Sequence, residues 1–593
     1  MDIIELKKSV LDMVGKTVKE VFEQTPEGLT LGFPPNVSMG NFAIGCFPLA
    51  EKLKTKPKDI AEQIVSNLEA GDAIGEVTAT GPYININIPP ALFFGSVCDE
   101  IISKDQEFGK SSSGDSLKIM VEYLSPNTNK PLHLGHIRNG ALGMAIANML
   151  EAIGHKVIKA NLVNDRGIHI CQSMIAWKKW GENSTPESTG LKGDHFMGKW
   201  YVKFFGEIKE DESLEDLAQE MLVKWEQGDP VIMKDWKMMR DWVCGGFEET
   251  YEMLGLKFDI FYYESFTFKL GKDIVQRGIE EGVFKKYTDP KKGNVSWVYF
   301  LPKNEFGLDK EGNIKVATVL REDDTSVYMT QDLGTAVHKI EDHGLDYSIY
   351  VVANEQDDYF KRLFKILKVL GFEWAKDCRH LSYGMVNLPE GRMKSREGTV
   401  VDADDLISGM EEIATEEIRK RNEDNPLPEN EVKERAHIIA LAAVKFYLLK
   451  VKPTQGIDYD PTESLSFEGF TGPYCLYAYA RISAILRIAA EQEISFEDCD
   501  FSVLGNEEEL MLCQLLFQFS DVVRDAADGL NPLKLLTHVH ALAKVFSQFY
   551  NKHRVLDAKG EALVKARLVL IKATAIALKN GLNLLGIDVL EKM

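Results

Sequence analysis

The sequence predicts a doubly wound, Rossmann-like parallel-sheet domain between a smaller α/β domain and an all-helical C-terminal domain. A β-rich run at 117–124, a helix extending to about 153 and a second β-rich run at 156–165 form one β-α-β unit. Before this unit, isoleucines and asparagines alternate over 84–88 in the manner of a half-buried strand. From about residue 403 the apolar spacing is almost entirely helical. The 593 residues exceed what one hydrophobic core can support, so several domains are expected.

The first two predicted domains each contain a recognisable series of elements. Residues 1–110, the α/β N-terminal domain, begin with helical spacing at 3–23 and continue with two helices that divide near Pro57 and then the alternating strand. A small, polar linker at 109–116 leads into the parallel-sheet domain, 111–435. An insertion at about 172–320 is predicted in it, because these residues are rich in tryptophan, lysine and acidic side chains and show only broken amphipathic helices.

The elements that complete the chain follow the insertion. Alternation returns at 325–340, and a β-rich run at 348–353, a helix at 357–370 and a strand-like run at 381–388 come after it. A hinge with two prolines at 422–431 precedes the helical domain, 436–593.

Composition bounds the possible functions. No run is long and apolar enough to cross a membrane, and the N-terminus has no apolar signal core, so we expect no membrane partner and a cytoplasmic location. The 8 cysteines are scattered without a C-x-x-C pair, which argues against disulfides and structural zinc. The net charge of −22 opposes nucleic-acid binding, although basic clusters such as 52–58 offer local positive surface.

The most informative segment is 121–143, VEYLSPNTNKPLHLGHIRNGALG, in which a β-rich run ends in a polar turn and a helix. Such a helix start, at the carboxyl edge of a parallel sheet, offers unpaired N–H groups to an anion. His133 and His136 project from one side of the first turn, where neutral imidazoles can donate hydrogen bonds to phosphate oxygens. Gly135 between them lets a ligand lie close to the backbone. The alternative interpretation is two histidines satisfied at an ordinary helix N-terminus.

The string SPNTNKPLHLGHIRN, residues 125–139, resembles the H-I-G-H element of class I aminoacyl-tRNA synthetases, and the arginyl-tRNA synthetase family in particular. The resemblance implies activation of an amino acid by ATP, catalysed by positioning and electrostatics without a protein nucleophile. It implies ATP and Mg²⁺, with the metal brought by the nucleotide and no dedicated protein metal site.

The segment GRMKSREGTVV at 391–401 resembles a second signature of this family, K-M-S-K-S. It departs from that consensus at the second lysine, where Ser395 stands. The resemblance implies that Lys130 supplies the missing cation at the α-phosphate, although by itself Lys130 could be a solvated loop lysine. The implied catalytic residues are Lys130, His133, Gly135, His136, Lys394, Ser395 and Arg396. The implied ATP-binding residues are His133, His136, Gly384, Met385, Val386 and Met393, of which 384–386 would hold adenine through backbone groups.

A guanidinium substrate requires carboxylates, because it presents a fixed fork of donors and no acceptor. Glu122 lies on the strand before the turn, and Asp332 lies four residues after Tyr328 on one helical face. By the family resemblance, the arginine-binding residues are Glu122, Asn127, Tyr328, Asp332 and Gln356. Singly, each acid would more often be surface charge; together they lie at strand ends or in the turns beyond, where ligands of a doubly wound sheet collect.

The helical domain carries TGPYCLYAYARISAILRIA at 471–489, where two tyrosines and an arginine share a helical face. By itself the pattern also fits a core stripe with an exposed arginine. It resembles the arginyl anticodon-binding helix, which implies stacking and edge recognition of unpaired loop bases. The implied tRNA-binding residues are Tyr83, Asn85, Tyr474, Tyr477, Arg481, Ala484, Tyr550 and Met593, of which the first two would meet the D-loop.

The predicted function is ligation of L-arginine to tRNA(Arg) through an arginyl-adenylate, with release of pyrophosphate and AMP, by a protein expected to be a monomer. One alternative is a catalytically inactive tRNA-binding paralogue, which the altered second signature favours and the intact Lys130, His133 and His136 disfavour. The other is a small-molecule carboxylate–amine ligase of the same nucleotidyl-transfer fold, which would not need the long helical tail.

Overall fold

The computed structural model describes residues 1–69, 74–111, 116–290, 293–322, 325–387, 401–496 and 499–593. The chain divides into two compact units. One unit comprises 1–111, 466–526 and 534–593, and the other comprises 112–465 and 527–533. The first and last predicted domains thus contribute to the same unit, and the three-domain division itself remains a prediction.

The N-terminal part of the first unit is an antiparallel sheet with four helices. Its helices are α1 (Ile3–Phe22), α2 (Phe47–Leu53), α3 (Pro57–Asn67) and α4 (Pro90–Lys104). Its strands are β1 (Leu31–Gly32), β2 (Phe42–Gly45), β3 (Val77–Thr80) and β4 (Tyr83–Ile86), in the order β1-β2-β4-β3. The predicted division near Pro57 is confirmed, because α3 begins at this proline, whose missing N–H costs a helix nothing at its first position. The alternating isoleucines are buried, but so is Asn85, which was predicted on the opposite face.

The second unit contains the following elements in chain order. Its helices are α5 (Leu134–Ala152), α6 (Ile168–Trp180), α7 (Pro186–Thr189), α8 (Gly193–Glu207), α9 (Ser213–Glu226), α10 (Pro230–Met253), α11 (Glu264–Glu280), α12 (Lys303–Phe306), α13 (Tyr328–His343), α14 (Asp357–Val369), α15 (Ala403–Arg421), α16 (Glu429–Leu449) and α17 (Pro461–Ser464). Its strands are β5 (Lys118–Glu122), β6 (Lys156–Val163), β7 (Ile260–Tyr263), β8 (Lys285–Thr288), β9 (Val295–Phe300), β10 (Val316–Arg321), β11 (Tyr347–Ala353), β12 (Cys378–Tyr383), β13 (Val386–Asn387) and β14 (Ile457–Asp458).

The main sheet of this unit is parallel, as predicted, with strand order β12-β11-β5-β6-β7. The chain first extends the sheet from β5 through β6 to β7, and later extends it on the other side of β5 through β11 and β12. The order therefore reverses beside β5, which makes the carboxyl end of β5 and β11 the switch point where such sheets bind ligands.

Two sequence expectations for this unit need correction. Residues 325–340 alternate in sequence but form most of helix α13, whose buried face includes Leu333 and packs against α14 around Leu363 and Ile366. The predicted insertion is also smaller than 172–320, because β7 pairs in parallel with β6 as an edge strand of the main sheet. The short apolar run of β7 was obscured by the polar sequence on either side of it.

The C-terminal helices belong to the first unit for most of their length. They are α18 (Gly472–Glu491), α19 (Glu507–Asp528), α20 (Pro532–Lys552) and α21 (Glu561–Leu584). Phe517 of α19 packs on Phe42 and Phe93, with ring centroids 4.8 and 5.9 Å apart, which joins these helices to the N-terminal sheet in one core. The predicted hinge at 422–431 coincides with the break between α15 and α16. Both helices belong to the second unit, and a domain boundary at this break remains a prediction. Among the residues that the structure covers, no helix has the length and apolarity required to span a membrane.

Candidate active site

The turn after β5 has an unusual backbone that buried asparagines hold in place. Leu124 and Ser125 both adopt positive φ, 76° and 46°, which costs a non-glycine residue energy. Asn139 of α5 accepts from the Leu124 N–H at 2.6 Å and donates to the Val351 carbonyl at 2.9 Å, while Asn161 accepts from the Ser125 N–H at 3.2 Å. These hydrogen bonds connect the turn to both neighbouring strands.

The two signature histidines cap helix α5. The Nδ1 atom of His133, the N-cap residue, accepts from the Gly135 N–H at 3.1 Å, and Nδ1 of His136 accepts from the His133 N–H at 3.1 Å. A side chain at Gly135 would meet the His133 ring at 3.0 Å, so this glycine leaves room for the cap. Because both Nδ1 atoms accept hydrogen bonds, each neutral ring must carry its proton on Nε2. The pair thus offers two Nε2–H donors.

Both rings are held neutral. Burial lowers the pKa of His133 to about 3, with a further contribution from Lys130, and it lowers the pKa of His136 well below its usual value. Two neutral donors beside a lysine can hold phosphate oxygens without taking up protons at neutral pH. His133 and Lys130 line a cavity of about 370 Å³ whose opposite wall includes Tyr201 of α8.

The end of the second signature is bonded to the first. The Leu134 N–H donates to the Val401 carbonyl at 3.3 Å, and the Ala403 N–H donates to the Leu132 carbonyl at 2.9 Å, with His133 and Asp402 paired between them. Residues 401–403 therefore lie antiparallel to 132–134. Met393, Lys394, Ser395 and Arg396, the predicted residues of the second signature, lie outside the described part of the chain.

The predicted adenine-binding strand is held close to α5. Gly384 allows a backbone contact, because a Cβ there would lie 2.4 Å from the backbone at Gln455 and Gly456. Arg138 is 2% exposed and donates to the Met385 carbonyl at 3.4 Å and to the Gln455 carbonyl at 2.6 Å. Val386 begins the short strand β13, which pairs with β14. The structure thus places 384–386 beside the signature helix.

The two acidic side chains of the predicted arginine pocket, one buried and one half-buried, already have partners. Glu122, at the end of β5, is 5% exposed and forms an ion pair with Lys339, which is 1% exposed. Asp332 accepts a hydrogen bond from the Tyr359 hydroxyl. Burial raises the pKa of Asp332 to about 6, while the Tyr359 hydrogen bond and then Lys339 oppose that shift. A buried carboxylate with spare acceptor capacity suits a guanidinium, which can neutralise it.

A second buried acid, Glu264, interacts with Asp332. Burial raises the pKa of Glu264 to about 8, and the charge of Asp332 adds to the shift. Tyr328 is 61% exposed as a whole residue, and desolvation of its hydroxyl raises the pKa of that group, to which the charges of Glu264 and Asp332 add. Asn127 and Gln356 are exposed. Three of the five predicted arginine-binding residues, Glu122, Asn127 and Gln356, thus lie at or just beyond strand ends, as expected. Tyr328 and Asp332 lie in the first turns of α13.

Three of the predicted tRNA-binding residues form one cluster in the helical region. The Arg481 guanidinium donates to the Tyr477 hydroxyl at 2.8 Å and lies 4.2 Å from the Tyr477 ring centroid and 4.9 Å from that of Tyr550. Tyr474 packs beside His540, with ring centroids 5.2 Å apart. Ala484 and Met593 are partly exposed. A cation between two tyrosines offers both stacking and hydrogen-bonding groups to unpaired bases.

The two predicted residues of the N-terminal sheet differ in accessibility. Tyr83 is 44% exposed and packs edge-on against Phe47, which is 52% exposed, at 5.7 Å between ring centroids. Asn85 is 3% exposed, and its amide donates to the Thr80 hydroxyl at 3.0 Å. Tyr83 is therefore accessible to RNA, whereas Asn85 supports the hairpin from within.

Sequence reasoning missed several residues that shape the site. Arg138 and Asn139 come just after His136 in the signature segment, and this position could have indicated that they contribute to the site. Lys339 and Tyr359 are remote in sequence from the acids they contact, and no pattern in the sequence indicates these contacts.

Comparisons with known proteins cover nearly the whole chain. Residues 97–460 match the family described as tRNA synthetases class I (R), catalytic domain; residues 5–88 match the arginyl tRNA synthetase N terminal domain; and residues 475–593 match the DALR anticodon binding domain. The arginine–tRNA ligase of Treponema denticola is 42% identical, covering 99% of both chains. That of Bacteroides thetaiotaomicron is 42% identical over 93% of this chain and 94% of its own.

The solved structures agree with the sequence relatives. Thermus thermophilus arginyl-tRNA synthetase matches with a TM-score of 0.80 at 25% identity, covering 99% of this chain and 100% of the other. The chain therefore belongs to the arginyl-tRNA synthetase family of class I tRNA synthetases.

Proposed function

We propose that this protein joins L-arginine to tRNA(Arg) in two steps, with ATP as the energy source. The arginine carboxylate attacks the α-phosphate of ATP, and pyrophosphate leaves. A hydroxyl of the terminal tRNA ribose then attacks the arginyl carbonyl, and AMP leaves. Membership of the family supports the reaction class, and the residues around the carboxyl end of β5 support the roles assigned below.

The observation that carries the proposal is the pair of neutral histidines at the N-terminus of α5. The Nε2–H groups of His133 and His136 donate to phosphate oxygens, and Lys130 supplies a positive charge at the α-phosphate. Negative charge that develops during displacement is stabilised by donors already in place. Mg²⁺ would come with the nucleotide and neutralise its phosphates. Lys394, Ser395 and Arg396 are proposed to share the contact with pyrophosphate.

The acidic pocket selects the amino acid. We assign the guanidinium to Asp332 and Tyr328, and the remaining arginine contacts to Glu122, Asn127 and Gln356. Asp332 is suited to this because its carboxylate is buried and a cation would relieve the cost of its charge. A neutral amino acid of similar length would leave that carboxylate unpaired, which discriminates against it strongly.

The remaining proposals concern partners and location. We assign the anticodon contacts to the cluster of Tyr477, Arg481 and Tyr550, together with Tyr474, Ala484 and Met593. Tyr83 is proposed to contact the D-loop, with Asn85 supporting the hairpin. We propose that the protein acts as a monomer in the cytoplasm.

The test is transfer of radiolabelled amino acids to total tRNA by the purified protein with ATP and Mg²⁺, each amino acid tested separately. Labelling by arginine alone supports the proposal. Tight tRNA binding with no labelling by any amino acid would indicate the inactive paralogue, in which the altered second signature at Ser395 is the first position to test. Arginine-dependent ATP consumption with a small amine as acceptor, and no tRNA labelling, would indicate the small-molecule ligase.

A further inference from the structure

A cluster of charged side chains joins helix α8 to the start of α15. Nε2 of His195 lies 2.9 Å from a carboxylate oxygen of Asp404 and 3.5 Å from one of Asp402. The Lys192 ammonium bonds to the same Asp404 carboxylate and lies 3.4 Å from Asp194. Thr250 of α10 donates to the other Asp404 oxygen at 3.0 Å. Two helices of the polar region after β6 therefore hold the N-terminus of α15.

The held segment is the one that pairs with the first signature. Asp402 is the N-cap of α15, and its side chain accepts from the Asp404 N–H at 2.8 Å. The backbone of 401–403 is in turn hydrogen-bonded to 132–134, the segment that contains His133. The position of His133 therefore depends, through two backbone hydrogen bonds, on where the cluster holds Asp402.

Helix α8 also touches the signature loop directly. A Cβ at Gly198 would lie 2.7 Å from the Pro131 ring, so the α8 backbone approaches the residues between Lys130 and His133 as closely as glycine allows. His195 and Asp402 line the same cavity as Lys130 and His133. Helix α8 thus supports the phosphate-binding segment from two sides.

Asp194, His195 and Asp404 have ligand atoms within 4.8 Å of one another, an arrangement that a metal ion could use. Lys192 already supplies a positive charge to both carboxylates. A divalent cation would have to displace this ammonium, so the cluster is suited to ion pairing within the protein, and we assign it no metal.

We propose that His195 and Lys192 are positioning residues for the synthetase reaction: by holding Asp402 and Asp404, they fix the 401–403 segment and with it the phosphate-binding histidine. The inference rests on the proposed function. It gives the α8 region a role in amino acid activation.

Charge on His195 is part of this arrangement. The hydrogen bond to Asp404 raises the pKa of His195, burial opposes the shift, and Asp402 and Asp194 add to it. Burial would raise the pKa of Asp404, but the hydrogen bonds from His195 and Lys192 hold it at about 2. Lys130, His133, Lys199 and Tyr201 line the same cavity as His195 and Asp402, and Asp405 also acts on Asp402. The His195 ion pair is therefore complete below its raised pKa and is lost as pH rises through it.

The test compares two histidine variants that each remove a carboxylate contact from α15. His195→Gln removes the imidazole that pairs with Asp404 and replaces it with an amide that cannot carry a charge. His437→Gln does the same to the imidazole that contacts Glu411, which lies further along α15, at 2.7 Å. Initial rates of arginine transfer to tRNA are measured for both. We expect His195→Gln to lower kcat at least about tenfold, because a displacement of about 1 Å at a reacting group costs on the order of 10²-fold. His437→Gln is expected to retain the wild-type rate.

A pH profile separates positioning from simple loss of stability. Rates are compared as pH rises from about 6.5, the ordinary pKa of a histidine, because the pKa of His195 is raised above that value. Burial raises the pKa of Asp402 to about 6 and that of Glu264 to about 8, and neither residue is changed in the histidine variants, so only a difference between wild type and these variants is assigned to His195. Wild-type kcat should fall as pH rises in this range, and His195→Lys, whose ammonium stays charged, should remove that fall. If His195→Gln does not fold, Lys192→Met replaces it with the same expected loss of kcat.

The inference is overturned if His195→Gln, folded by thermal unfolding, matches His437→Gln in kcat across the pH range. A pH-independent loss that His195→Lys does not repair also overturns it, because this result indicates a structural role only. Both outcomes apply only if the wild-type protein attaches arginine to tRNA. If the wild-type protein attaches no arginine to tRNA, the proposed function is refuted instead.

Discussion

The buried ion pair between Glu122 and Lys339 gives the sharpest stability prediction. Both side chains lie almost entirely inside the protein, with 5% and 1% exposure, and the ammonium also lies 5.1 Å from the Tyr350 ring centroid. Lys339→Met removes the ammonium and leaves a carboxylate in the core without its partner. Breaking a buried pair in this way costs about 3–5 kcal/mol of the free energy of unfolding.

The double variant Glu122→Gln/Lys339→Met distinguishes the loss of pairing from the loss of packing. It removes both charges, so its cost should be no more than about 1–2 kcal/mol, well below that of Lys339→Met alone. Urea denaturation of wild type, both single variants and the double variant gives the four values. Lys203→Met, which breaks an exposed pair with Glu207, is the control and should cost less than about 1 kcal/mol.

A cost below about 1 kcal/mol for Lys339→Met would refute this reasoning, because it would mean that water or another group compensates Glu122. The same variant has a functional consequence. Lys339 lowers the pKa of Asp332, so its removal raises that pKa further above about 6 and reduces the ionised fraction near neutral pH. The KM for arginine should therefore rise in Lys339→Met, and this rise should diminish as pH increases.

Three further predictions test the site. His133→Asn keeps a side-chain oxygen that can accept a hydrogen bond from the Gly135 N–H, so the protein should still fold. Its kcat should fall by about 10²–10³-fold, the usual effect of losing one hydrogen-bond donor to the transition state. A kcat within tenfold of wild type would refute the donor role of His133. The KM for arginine should rise as pH falls through about 6, where Asp332 takes up a proton. Asp332→Asn should bind arginine weakly, and its KM should not depend on pH in this range. If the KM of Asp332→Asn still rises as pH falls, a group other than Asp332 causes the pH dependence. Arg481→Ala should raise the Kd for tRNA by about 5- to 150-fold, the value of a base-stacking contact of about 1–3 kcal/mol, without changing the KM for ATP. Filter binding with unmodified tRNA measures this Kd, and unchanged binding would remove Arg481 from the interface.

Local patterns were sufficient where the chemistry lies close together in the sequence. The strand, turn and helix at 117–153 follow from hydrophobic spacing and the N-cap, and the two histidines share one helical turn. The parallel sheet follows from the β-α-β arrangement, because parallel strands require a crossover. The hinge at 422–431 follows from its prolines.

Patterns failed where a short segment had to be assigned without its neighbours. The alternation at 325–340 fits a strand, whereas the spacing of Tyr328 and Asp332 within it fits a helix. The stretch forms most of helix α13, because its apolar side chains then pack together on α11 and α14. The edge strand β7 is too short to stand out from the polar sequence around it. Asn85 continues an alternating pattern, but its amide bonds to Thr80 inside the hairpin and becomes buried.

The sequence by itself determined the fold class, the signature histidines and the family, because these depend on residues within a few turns of one another or on runs of similar composition. Only the tertiary structure decided which nitrogen of each histidine carries the proton, since that depends on backbone N–H groups in a folded cap. It also decided that Lys339 neutralises Glu122 from 217 residues away, and that His195 holds Asp404 across 209. Charged groups so remote in sequence interact only after folding has brought them together and excluded water from between them. For this reason no local sequence pattern indicates these contacts.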